Sequence, residues 1–235
     1  MTMKNAIHNN KFGNNVEPII AAIRERVHKW EYPPNHPLGE ELLCREFSVS
    51  RSPVREALRC LESEGIVRRI PNRGYFVRQY RTDEILDLYN VRLALELFVV
   101  EQLALNVKCH AEVKALGDPW RRILNDPCCH NVPGEMAKID EAFHEKLAEM
   151  SGNAMLLNHL IGINARLFVF RAMDFTFVKE NNTLKESCES HLHIVDSIVS
   201  GDPDSAREAI RANLGMGLGN VERSMGRILV KTFNS

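Results

Sequence analysis

Asp140 and His144 stand four residues apart within Glu135 to Met150, a stretch with helical spacing of its apolar residues. Side chains four apart share one helix face, so a carboxylate and an imidazole are aimed the same way. Further along, His191 has Ile194, Val195 and Ile198 at helical spacing and faces inward, whereas His193 shares its face with Asp196, Ser197 and Ser200 and faces out. A carboxylate and imidazoles converging inside a helical bundle suit a divalent metal of mixed nitrogen and oxygen coordination. The same residues also suit a plainer role, as a surface Asp–His link and a hydrogen-bonded core histidine. Arg92 leans inward, one turn from Leu88 and Leu95. It can meet the carboxylate of a bound ligand or pair with Glu96 one turn on. Arg166 and Arg171, on the apolar stretch Ala154 to Met173, are further candidates for an anion.

A different chemistry is written near the N-terminus. Arg51, Arg55 and Arg59 recur every four residues beside an apolar face of Val54, Ala57, Leu58 and Leu61. Ser52 is expected to cap this helix, with Pro53 at its first position. Leu38 to Phe47 reads as a short preceding helix with Leu42, Leu43 and Phe47 inward, joined by a link as short as a helix-turn-helix needs. Gly65 ends the second helix. Val67 to Ile70, the turn Pro71-Asn72-Arg73-Gly74 and Tyr75 to Val77 then read as a two-stranded wing. Guanidinium forks match guanine edges and phosphates, so this surface suits double-stranded DNA. Arg51 and Arg55 are expected at base edges, and Ser52, Arg59, Arg69 and Arg73 on phosphates or in the adjoining minor groove.

Charge supports that division. Residues 1–81 carry 14 Lys/Arg against 9 Asp/Glu, a balance of +5, and residues 82–235 carry 16 against 22, a balance of −6. Only the first part is suited to a polyanion. The six cysteines form no Cys-x-x-Cys pair, and Cys128 and Cys129 are adjacent, which argues against a zinc scaffold or a disulfide framework and for a reducing compartment. No apolar run approaches membrane-spanning length and the N-terminus is polar, so a cytoplasmic protein without membrane partners is expected.

These signals predict a mainly α protein. Residues 1–14 form a mobile tail. Residues 15–80 form a winged helix-turn-helix of three helices and a two-stranded wing, its first helix running from Val16 to near Trp30. Residues 81–235 form an all-α antiparallel bundle of six or seven helices. Within it, Ile85, Leu88, Val91, Leu95 and Phe98 mark the inner face of a helix over Glu84–Asn106. A second helix, near Glu112–Leu124, bends at Gly117-Asp118-Pro119, and Asn125 to Gly134 is a loop. Ser151-Gly152-Asn153 breaks the chain, Asp174 to Asn182 connects two helices, and Asp202-Pro203 caps and starts the last one. Gly215, Gly217 and Gly219 on that helix imply a bend or a close neighbour.

Ser50-Arg51-Ser52-Pro53-Val54-Arg55-Glu56-Ala57-Leu58, followed by Leu61, Glu64-Gly65 and Arg73-Gly74, resembles the winged helix of the GntR family of bacterial transcription regulators. Residues 82–235 resemble the FCD effector domain of the FadR branch of that family. The matching features are Tyr89-x-x-Arg92-x-x-x-Glu96, Asp140-x-x-x-His144, Gly152-Asn153, His191-x-x-Ile194 and Gly201-Asp202. The resemblance implies a homodimer on a pseudo-palindromic operator and a small carboxylate effector held with the help of a metal. In many members an Asp and three His bind that metal. Asp140, His144 and His191 match three of the positions, and Asn213 stands at the fourth. An amide oxygen is a weaker ligand than imidazole for Zn or Ni, so a weakly held divalent metal, or a metal-free pocket, is implied. A metal-dependent hydrolase built on Asp140, His144 and His191 is the competing reading. No inward Glu or second carboxylate is spaced to act as its general base, and it leaves the basic N-terminal part without a task.

Overall fold

The computed structural model describes residues 16–29, 31–126 and 133–233, with side chains in the last helix as far as Gly219. The expected tail, Trp30, and Cys128 and Cys129 lie outside the described residues. The chain forms two compact units that divide between Gln79 and Tyr80.

The first unit contains α1 (Val16–His28), β1 (Pro37–Leu38), α2 (Glu40–Glu46), α3 (Arg51–Ser63), β2 (Val67–Ile70) and β3 (Gly74–Val77). Ile19, Ile20, Ile23 and Val27 of α1 and Val54, Ala57, Leu58 and Leu61 of α3 are buried, as their spacing predicted. The wing pairs β2 with β3, placing Arg69 opposite Tyr75 and Ile70 opposite Gly74. Asn72 (φ 61°) and Gly74 (φ 91°) take left-handed backbone to close its turn.

Three local expectations are corrected in this unit. Leu38 is not helical: it pairs with Tyr75, adding a short third strand in the order β1-β3-β2. Of the expected inner residues of α2 only Leu43 is buried; Leu42, about 100° round the helix from it, is 55 % exposed, and Phe47, the C-cap, is half-buried. The N-cap of α3 is Ser50, in extended backbone, so Arg51 and Ser52 are already helical. Pro53 is tolerated at the third position because the first four N–H groups of a helix have no partner within it.

The second unit contains α4 (Thr82–Leu105), a 3-10 turn (Val107–Cys109), α5 (His110–Leu116), α6 (Asp118–Asn125), α7 (Pro133–Met150), α8 (Ala154–Glu180), α9 (Leu184–Val199) and α10 (Pro203–Phe233). The expected bend at Gly117 is a division into two helices, α5 and α6. The break before α8 and the start of α10 are built as their residues dictate. Gly152 (φ 73°) and Gly201 (φ 76°) take left-handed backbone. Asn153 Oδ1 accepts from Leu156 N at 3.1 Å, and Asp202 Oδ1 accepts from Asp204 N at 3.0 Å. Asp174 does not open a connection: α8 continues to Glu180.

The largest correction concerns α4. Val91 (51 %) and Phe98 (46 %) are exposed, and the buried face runs through Ile85, Tyr89, Arg92, Glu96, Val99 and Leu103. Arg92 is inward as expected, and the helix is turned so that Glu96 joins it there while Val91 and Phe98 face out.

The glycines of α10 are not equivalent. A Cβ at Gly217 would lie 3.3 Å from Tyr89 Oη, whereas at Gly215 and Gly219 it would meet nothing within 4 Å. Helical Gly costs about 1 kcal/mol relative to Ala. Gly215→Ala should therefore raise stability by about 0.5–1 kcal/mol, and Gly217→Ala should gain distinctly less. Urea midpoints of the two variants check this, and equal gains would show that α10 does not approach Tyr89 so closely.

Candidate functional sites

The first site is the surface of α3 and the wing. Arg51, Ser52, Arg55, Arg59, Arg69 and Arg73 are all exposed, while the apolar residues between them on α3 are buried. Arg51, Arg55, Arg69 and Arg73 are held rather than loose. Arg55 Nε donates to Glu40 Oε2 at 2.8 Å, and Arg51 Nη2 donates to Glu41 Oε1 at 3.0 Å. On the wing, the Arg69 guanidinium lies 5.9 Å from the centre of the Tyr75 ring, and that of Arg73 5.3 Å from Phe76. Arg68 instead donates to Asn35 Oδ1 at 2.8 Å, which ties the wing to the turn before β1. Arg24 on Glu64 at 2.7 Å, and Arg26 on Glu46, anchor α1 to the ends of α3 and α2. Nothing in the spacing marked Glu40 and Glu41 as partners of the arginines, because the pairing spans two helices.

The second site lies inside the helical unit. Asp140 and His144 of α7 and His191 of α9 are all buried, and their ligating atoms lie within 4.8 Å of one another. His144 Nδ1 faces Glu96 Oε2, the other oxygen of Glu96 takes Arg92 Nε at 2.6 Å, and His144 Nε2 has no hydrogen-bond partner and lies 3.7 Å from Asp140 Oδ1. His191 Nδ1 donates to the Ser187 carbonyl at 2.7 Å, and its Nε2 is hydrogen-bonded to Asp140 Oδ1 at 3.1 Å. Arg171 Nη1 takes Asp140 Oδ2 at 3.0 Å. Trp120 stacks on the His191 ring, centroids 3.6 Å apart and planes 11° from parallel, and fixes its orientation.

The electrostatics follow from burial and neighbours. Burial would raise the Glu96 pKa, but the charges of His144 and Arg92 outweigh it and push it down to about 2. Burial likewise opposes ionisation of Asp140, yet His144, His191 and Arg171 hold it well below the usual carboxylate range. Burial disfavours charge on His144, but Glu96 and Asp140 on its two sides prevail and raise its pKa. Burial dominates at His191 and lowers its pKa. Arg92 on Glu96 and Arg171 on Asp140 offset the two carboxylates, and the space between Asp140 Oδ1, His144 Nε2 and His191 Nε2 suits either a proton on His144 or a divalent cation. The donor set fits such a cation: two imidazole nitrogens, each with its far nitrogen already engaged, and one carboxylate oxygen.

A cavity of about 390 Å³ opens beside these residues and is also lined by Tyr89, Arg92, Arg171 and Asn213. Arg92 is 1 % exposed and its Nη2, 4.0 Å from Asp140 Oδ2, has no hydrogen-bond partner, as is true of Tyr89 Oη. Both alternatives for Arg92 hold at once: Nε is on Glu96 while Nη2 is available at the cavity wall. Asn213 donates its amide to Ser190 Oγ at 3.1 Å, which leaves its carbonyl oxygen as the atom it can offer a cation. Arg166 is half-buried on α8 and is not among the residues lining the cavity, whereas Arg171, five residues on, is. Helical rotation alone separates them: five residues turn a side chain by well over one full turn, and only Arg171 reaches Asp140.

Comparison with known proteins places these sites in a family. Residues 15–77 match the model of the bacterial regulatory proteins of the gntR family, and residues 87–215 match the FCD domain. The chain is 30 % identical over 185 residues to the Nta operon transcriptional regulator of Aminobacter aminovorans, covering 79 % of this chain and 84 % of that protein. It is 29 % identical over 191 residues to the gluconate operon transcriptional repressor of Bacillus licheniformis, covering 79 % and 76 %. The fold is shared with the solved structure of E. coli McbR/YncC (TM-score 0.69, 15 % identity, 89 % of this chain and 98 % of that one). It is shared too with a putative GntR regulator from Rhodococcus sp. RHA1 (TM-score 0.66, 19 % identity, 88 % and 97 %). The similar proteins are regulators and not enzymes, which sets the hydrolase reading aside. The chain belongs to the GntR family of bacterial regulatory proteins: it is a transcription regulator with an N-terminal DNA-binding winged helix-turn-helix and a C-terminal FCD domain.

Proposed function

We propose that this regulator binds a pseudo-palindromic operator in the cytoplasm as a homodimer of the FadR branch and releases or engages it in response to a small carboxylate effector. A two-fold protein reads two half-sites, and an effector changes affinity only as far as it distinguishes placements of the two reading heads. Arg51 and Arg55 reach base edges. Ser52, Arg59, Arg69 and Arg73 take phosphates or the adjoining minor groove. The observation that carries the effector reading is the convergence of Asp140 Oδ1, His144 Nε2 and His191 Nε2 beside Arg92 Nη2, which has no hydrogen-bond partner. Those three residues, with Asn213 as a weak fourth, would hold a divalent metal such as Zn or Ni, and Arg92 would take the effector carboxylate. Arg166, proposed from sequence for the same task, gives way to Arg171, which lines the cavity. Relatives named for gluconate operons support an anionic effector, since gluconate is a hydroxy acid. When bound, the metal supplies a Lewis-acidic anchor for an anion.

Three measurements test this. First, Arg51→Ala and Arg55→Ala should each cost about 1–3 kcal/mol on the operator and relax sequence choice. Arg69→Ala should instead weaken operator and random duplex alike and lower the salt slope. Equal losses on both duplexes for all three variants would defeat the assignment.

Second, thermal shift with small carboxylates and their amides should favour the acids, with stabilisation growing as ligand concentration rises. Neutral analogues acting equally well would exclude the carboxylate.

Third, elemental analysis before and after chelation should find more Zn or Ni retained by Asn213→His than by the parent, and less by His144→Ala. If neither substitution changes metal content, Asp140, His144 and His191 serve as hydrogen-bonding groups around an organic ligand in a metal-free pocket.

A further inference from the structure

The two arginines assigned to base edges are both held by glutamates of α2, but by different nitrogens. A guanidinium presents two nitrogens, Nη1 and Nη2, at its far end and Nε on its side. The far pair is the fork that spans guanine O6 and N7 when an arginine approaches end-on. Glu40 holds Arg55 by Nε, so the terminal pair stays available while the contact persists. Glu41 holds Arg51 by Nη2, one of the terminal pair, so Arg51 must release it to approach a base end-on. The two contacts also differ in exposure. The Glu40 side chain is 29 % exposed and that of Glu41 74 %, so water competes more strongly for the second.

We propose that Glu40 is a positioning residue for DNA recognition: it remains on Arg55 Nε in the complex and aims the far end of that guanidinium at a base edge. This rests on the reading that Arg55 meets base edges. Glu40 has a second effect. Its negative charge partly offsets that of Arg55, and an arginine so held is a poorer partner for an arbitrary phosphate. The selected sequence keeps its fork, while random DNA loses a cation it would otherwise recruit. Glu41 is different. It competes for Arg51 with any DNA and repels any phosphate nearby, so it weakens all sequences by the same factor.

The two glutamates therefore have separable signatures. The experiment uses the full chain at one fixed salt concentration. Its probes are a duplex enriched by the parent protein from a random library and a mixed-sequence duplex of the same length. The readout is the ratio of the two affinities. Glu40→Gln should lower that ratio by roughly fivefold, the low end of what one guanine fork discriminates, with the mixed duplex bound more tightly than by the parent. Glu40→Asp keeps the charge but not the reach, and should lower the ratio in the same direction. Glu41→Gln should tighten both duplexes and leave the ratio unchanged. In an Arg55→Ala background, Glu40→Gln should no longer move the ratio. Thermal melting confirms that each variant is folded.

If Arg55→Ala lowers the ratio but neither Glu40 variant does, Glu40 does not position Arg55 and the base-reading assignment stands. If Arg55→Ala leaves the ratio untouched, the assignment fails and the proposal with it. If Glu40→Gln and Glu41→Gln both shift the two duplexes equally, the glutamates act only as charges and the proposal is overturned.

Discussion

The helical unit is organised by one buried carboxylate. Glu96, 2 % exposed, receives Arg92 from its own helix and His144 from α7. An ionised carboxylate cannot sit in a protein interior unless its charge is compensated and its lone pairs are used. Both conditions are met here, and meeting them fixes the rotation of α4 about its axis. That rotation sends Val91 and Phe98 outward and brings Tyr89 and Arg92 to the cavity wall. Removing one partner from such a cluster typically costs about 3–5 kcal/mol, because an uncompensated charge is left behind.

From Glu96 the order propagates to the candidate metal ligands. Its hold on His144 Nδ1 aims the far nitrogen at Asp140 and the cavity. The Ser187 carbonyl does the same for His191, and Trp120 holds the plane of that ring. Arg171 occupies the second oxygen of Asp140, leaving the first to face the histidines. Each inward atom thus keeps its direction because its outward counterpart is engaged. This is the arrangement by which outer contacts set ligand tautomer and direction in metal sites. A proton on His144 and a metal would compete for the same place.

The DNA-binding unit uses polar partners differently. Arg51, Arg55, Arg69 and Arg73 are exposed, and their carboxylate and aromatic neighbours restrict conformation without removing charge from water. Exposed pairs of this kind contribute at most about 1 kcal/mol each to stability. Their consequence lies instead in how little side-chain freedom remains to be lost on meeting a base or a phosphate.

Sequence alone determined what depends on neighbours along the chain. The apolar face of α3 was legible because Val54, Ala57, Leu58 and Leu61 repeat at the helical period, and the wing because Asn72 and Gly74 accept the backbone its turn requires. Asp202 before Pro203 announced the last helix for the same local reason. The inward aim of His191 was legible from three apolar neighbours on its face. What only the tertiary structure decided were pairings across elements and the choices they force. Arg92 was rightly read as inward, but Val91 and Phe98 were placed inward too, because only His144, 48 residues on, makes burial of Glu96 beside Arg92 tolerable. Arg171 could not be told from Arg166 until α8 met Asp140. Nor could Glu40 be linked to Arg55 before two helices were packed together. Periodicity records which face of an element is apolar, but a charge inside a protein is decided by its partner, and that partner is supplied by folding.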